Sequence, residues 1–79
     1  MKTRLKHPAS YPTELHSSLL KSLQERGDVF SYVALYRGLM DVAKLKFITM
    51  GQRKSKLFIG YYLTTNKIEK KSRGVYVIK

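Results

Sequence analysis

The chain has 79 residues, no cysteine and a formal net charge of +11. That length suits one small domain with a thin core, which buries about 60% of the surface its unfolded chain exposes. The missing cysteine excludes disulfides and thiolate metal sites, and two histidines, His7 and His16, are too few for most imidazole-built metal centres.

Residues 1–12 carry Lys2, Arg4, Lys6, His7, Pro8 and Pro12 with no hydrophobic period. Each proline disfavours helix in the residue before it, so a flexible, extended basic arm is expected, either frayed or laid along a partner's groove. Residues 13–79 are expected to form the folded domain. Thr13 is placed to cap a first helix over about 13–26, with Glu14 complementing the dipole and Leu15, Leu19, Leu20 and Leu23 forming one apolar stripe. Gly27 is expected to end it in a positive-φ conformation.

Asp28 to Asp41 is mostly apolar, with Asp28 and Ser31 as alternative caps. Val33, Leu35, Tyr36, Leu39 and Met40 favour a second helix over a strand, although Gly38 costs about 1 kcal/mol in a helix interior. Leu45, Phe47 and Ile48 either extend this helix or form a short connection. Thr49 and Gln52 have the spacing of a capping box, predicting a third helix through Leu63. On that helix Ser55, Ile59, Tyr62 and Asn66 share one face, widened by Phe58 and Leu63. Lys54, Leu57, Tyr61 and Thr64 lie nearly opposite, with Arg53 and Lys56 beside them. The tail then changes period. Ile68–Lys70 and the β-forming Val75–Ile78 flank Lys71-Ser72-Arg73-Gly74, a turn signal, which predicts a β-hairpin with a basic tip.

The charge follows this division. Residues 1–40 carry a net +3 and residues 41–79 a net +8. A field so concentrated draws in phosphate chains. At 43% apolar the chain is too hydrophobic for a disordered basic tail. No apolar run approaches the roughly 18 residues of a membrane span, and no apolar stretch follows the lysine-rich start as in a leader peptide. A soluble, cytoplasmic, nucleoid-associated protein without membrane contact is expected.

Three helices followed by a hairpin, in an α+β chain, resemble a winged helix-turn-helix domain. The segment Tyr62-Leu-Thr-Thr-Asn-Lys-Ile68-Glu-Lys-Lys-Ser-Arg-Gly74-Val75-Tyr76 is particularly similar to the winged helices that head abortive-infection-type antitoxins, whose wing often ends Arg-Gly-Val-Tyr. The strong part of the resemblance covers about residues 59–78, the general layout about 13–78. Asn66 and Lys67 depart from the glycine and leucine usual there, and residues 38–50 exceed the short turn of a compact helix-turn-helix.

The resemblance implies duplex DNA as partner, with the third helix in the major groove and the wing on the backbone or minor groove. Carried over by position, the contact residues are Arg53, Lys54, Lys56 and Tyr61 on the helix and Lys70, Lys71 and Arg73 on the wing. Arg53 suits a bidentate guanine contact, the two lysines suit phosphates. Tyr61 either enters the groove or covers the core beside Leu57, and Lys2, Arg4 and Lys6 are either disordered or a minor-groove arm.

Five scattered carboxylates, no nucleophile motif and no glycine-rich phosphate loop leave no expectation of an enzyme, cofactor or metal. The alternative reading is a winged-helix protein-interaction or assembly module without DNA binding, using apolar residues of Tyr32–Met40 as its surface. Homodimerisation or a protein partner is compatible with so small a reading head.

Overall fold

A computed structural model describes residues 7–79. The expected basic residues Lys2, Arg4 and Lys6 lie outside the described residues. The elements are a 3₁₀ turn at Pro8–Ser10, α1 Thr13–Gln24, β1 Val29–Phe30, α2 Tyr32–Leu45, α3 Gln52–Thr64, β2 Ile68–Ser72 and β3 Val75–Ile78. The chain is thus α+β, with three helices and a three-stranded antiparallel sheet in the order β1-β3-β2.

α1 forms where its leucines recur at helical spacing, and Leu19, Leu20 and Leu23 are buried. Its ends differ from the expectation. Thr13 is the first helical residue, not the cap. Pro12 stands in the N-cap position without a side-chain bond, its fixed φ pre-set for helix entry. The helix ends at Gln24, two residues early, and Gly27 keeps an ordinary φ. The amides of Arg26 and Gly27 instead reach the carbonyls of Leu23 and Gln24 at 3.0 and 3.2 Å, a tightened last turn.

α2 is capped by Ser31, whose hydroxyl accepts from the Ala34 amide at 3.1 Å. Leu35, Tyr36, Leu39, Val42 and Ala43 are buried, so the apolar surplus of this segment serves mainly the core. Gly38 has a packing reason: a methyl on it would come within 2.7 Å of Leu23 Cδ1, so the glycine sets how closely α1 and α2 approach.

The last turns of α2 and α3 are built alike. The Ile48 amide bonds the Ala43 carbonyl at 2.9 Å and the Phe47 amide bonds that of Lys44 at 3.0 Å. After α3, the Lys67 and Asn66 amides do the same to Tyr62 and Leu63 at 2.8 and 3.4 Å. Both are Schellman turns, which place one residue at positive φ. Asn66 (φ 63°) tolerates this conformation well. Phe47 (φ 62°) does not, and it is also 99% exposed. The expected capping box is absent: Gly51 stands at the N-cap of α3 with no side-chain bond, and Thr49 lies outside the helix.

β3 is the central strand. Its Val77 and Tyr76 pair with Val29 and Phe30, while Ile78, Val77, Tyr76 and Val75 pair with Ile68, Glu69, Lys70 and Ser72, with a register shift between Lys70 and Ser72. Phe30, Ile68, Tyr76 and Ile78 turn to one face and are buried against the helices. The expected hairpin is therefore present, joined by a third strand too short to be signalled in the sequence. Its turn is narrower than expected: β2 runs through Ser72, leaving Arg73 and Gly74 (φ 74°) to reverse the chain.

Candidate nucleic-acid interface

α3 presents two faces with different duties. Ser55, Phe58, Ile59 and Tyr62 are buried. The Ser55 hydroxyl donates to the Gln52 carbonyl at 2.8 Å, which satisfies the buried polar group. At about 100° per residue, Arg53, Leu57, Gly60 and Thr64 fall on the opposite side and are exposed, with exposed Lys56 beside them. This stripe is cationic at the helix start and apolar or small in the middle.

The lysines lean to opposite flanks. Lys54 is half-buried, with Nζ 5.2 Å from the ring centroid of Tyr11, while Lys56 places Nζ 5.1 Å from that of Tyr36. Each ammonium stands over an aromatic ring in a cation–π contact. Arg53 makes no ion pair or ring contact among the described residues and is exposed. Gln52 donates to the Tyr36 hydroxyl at 3.0 Å, which ties the start of α3 to α2.

Tyr61 packs against the core, as one of the two readings offered by the sequence has it. It is half-buried against His16, at 5.3 Å between ring centroids, and meets the edge of His7 at 6.0 Å. The residues that hold it were not singled out by the sequence. His16, only 7% exposed, has Nε2 2.7 Å from the Pro8 carbonyl and Nδ1 2.7 Å from the Tyr62 hydroxyl. A carbonyl only accepts, so Nε2 carries a proton and donates to Pro8, while Nδ1 and the Tyr62 hydroxyl share the second bond. One imidazole thereby clasps the 3₁₀ turn onto α1 and α3. Residues 8–12, expected to be part of a flexible arm, are fixed in this way, with Pro8 buried. Burial, and secondarily the neighbouring Tyr61, raises the pKa of Tyr62. Burial, then Tyr76 and Tyr36, raises that of Tyr32. Both stay neutral hydroxyls at physiological pH.

The hairpin cations occupy three different settings. Lys70 sits within β2 opposite Tyr76, with Nζ 6.0 Å from its ring, so it is a strand residue and not part of the tip. Lys71 is also within β2, with Nζ 3.6 Å from Glu69 Oε2. An exposed pair of this kind is worth about 0–1 kcal/mol and leaves the ammonium open to a competing anion. Arg73 alone of the three occupies the turn itself. The structure thus gathers Arg53, Lys54, Lys56 and Tyr61 on α3 and places Lys70, Lys71 and Arg73 on the hairpin that follows.

Leu57 and Gly60 complete the outer face of α3 and, with His7, Lys56, Tyr61, Thr64 and Thr65, line a shallow trough of about 540 Å³. This pair was passed over in the sequence, although a glycine in the interior of a well-patterned helix runs against propensity. Among the described residues no three His, Cys, Asp or Glu side chains cluster where they could hold a metal ion, and no helix is long and apolar enough to cross a membrane. No family model, curated protein or solved structure matches the chain.

Proposed function

We propose that the protein is a winged helix-turn-helix domain that binds duplex DNA, with α3 in the major groove and the β2–β3 hairpin as a wing on the backbone or minor groove. The observation that carries this reading is the outer stripe of α3, headed by Arg53 and flanked by Lys54 and Lys56. Arg53 is exposed and makes no ion pair among the described residues, and the two flanking lysines add charge to either side of it. Arg53 reads a base edge, the two lysines and Lys70, Lys71 and Arg73 neutralise phosphates, and Tyr61 borders the groove. A cytoplasmic, nucleoid-associated regulator of transcription, or an accessory factor of excision or replication, is the role that fits, with binding and no catalysis as its mechanism.

Anisotropy titration of a labelled duplex across salt concentrations tests this. With about six phosphates neutralised, log K against log salt falls with a slope of about −5. Absence of duplex binding, or binding indifferent to salt, overturns the reading.

The second reading, an assembly module without DNA binding, is favoured by one observation: Leu45 is 71% exposed beside the fully exposed Phe47. Of the expected surface in Tyr32–Met40, Leu35, Tyr36 and Leu39 are buried, while Val33 is exposed and Tyr32 and Met40 are half-buried. A chain that fails the duplex titration and self-associates through Phe47 in sedimentation supports this second reading.

A further inference from the structure

Two glycines sit in helix interiors, and only one of them has a folding reason. Gly38 makes room for Leu23. A methyl built on Gly60 meets nothing within 4 Å, and Gly60 has no positive φ. Alanine there adds helix propensity and fits without a clash, so the fold itself favours a residue other than the one present. Gly60 also lies on the exposed stripe of α3, one turn beyond Leu57, which is 41% exposed. Together with His7, Lys56, Tyr61, Thr64 and Thr65 they line a trough of about 540 Å³.

We infer that Leu57 and Gly60 form a base-reading trough that takes the C5-methyl group of a thymine in the DNA major groove. The inference rests on the duplex-binding reading and adds its specificity. The chemistry is complementary on two counts. The cationic residues at the head and flank of the helix attract the phosphate walls of the groove, while the exposed Leu57 side chain suits the one apolar group that base pairs display there. Glycine removes the side chain that would otherwise hold the helix away from the base edges. The trough therefore reads a methyl by contact, and Gly60 sets the depth of approach.

The test begins with selection of a preferred duplex from a randomised library, using the full chain. Each thymine of the selected site is then replaced in turn by deoxyuracil, which deletes only the methyl. For the wild-type protein one replacement lowers affinity about fourfold, the effect of one buried methyl. Leu57→Ala binds the thymine and deoxyuracil duplexes equally. Gly60→Ala melts about 4–8 °C higher than wild type yet binds the selected duplex more weakly, which separates loss of contact from loss of fold. If the wild type binds duplex but no methyl matters and Gly60→Ala binds as well as wild type, the trough is overturned and the duplex reading stands. If the wild type binds no duplex, both fall.

Discussion

α2 and α3 are helices of nearly equal length, and each carries one interior glycine, but the two glycines answer to different masters. Gly38 faces the core, where a methyl would strike Leu23 Cδ1 at 2.7 Å. Gly60 faces open space. The contrast extends along both elements. α2 buries Leu35, Leu39 and Val42 in the interior while Val33 and Leu45 stay exposed, and its cap, Ser31, accepts from the Ala34 amide. α3 spends only its inner face on the core and leaves Arg53, Leu57, Gly60 and Thr64 without a folding duty. A residue that conflicts with local propensity is informative only after its packing has been inspected, because packing accounts for the first glycine and not for the second.

The largest expected effect tests the inner side of α3. His16→Ala removes two buried hydrogen bonds, leaves the Tyr62 hydroxyl and Pro8 carbonyl unpaired, and opens a cavity. Denaturant unfolding should show a loss of about 2–4 kcal/mol. The same region has a pH signature. Burial keeps the Tyr62 proton in the folded chain, whereas the unfolded chain releases it near pH 10. Its contribution is intact below about pH 10 and is lost as pH rises beyond that, by up to about 1.4 kcal/mol per pH unit. Tyr62→Phe should flatten this alkaline limb in a stability titration.

Smaller effects bear on the glycine contrast itself. Gly38→Ala is expected to destabilise by about 1 kcal/mol, overpacking against the fully buried Leu23 outweighing the gain in helix propensity. Thermal melting of this variant beside Gly60→Ala should show shifts of opposite sign, and shifts of the same sign would erase the distinction between the two helices. The smallest effect concerns the helix ends. Phe47→Gly relieves a positive φ and exposes no core, so a stabilisation of about 0.5–1 kcal/mol is expected, whereas Asn66→Gly should change little.

The helices and the hairpin were legible because each depends on a local signal: leucine spacing in α1, the two-faced pattern of α3, and the turn chemistry of Arg73-Gly74. The inner placement of Ser55 was legible for the same reason, whereas Asn66, expected on that inner face, lies past the end of α3 and is exposed. What escaped depends on distant partners or on competition at element ends. β1 has two residues and exists because β3 offers an edge to Val29 and Phe30. Thr13 and Thr49 carry capping chemistry, yet Pro12 and Gly51 occupy those positions. His16 appeared isolated because its partner Tyr62 stands 46 residues away. The candidate contact residues of α3 could be read from periodicity, whereas the strand settings of Lys70 and Lys71 required the register of the hairpin.

Amide chemical-shift mapping of the full chain with duplex DNA tests the central claim most directly. The expected result is perturbation centred on Arg53, Lys56, Leu57, Gly60 and Thr64, with a second group at Arg73 and Gly74. Perturbation confined to Leu45–Ile48, or none at any duplex concentration, would contradict it.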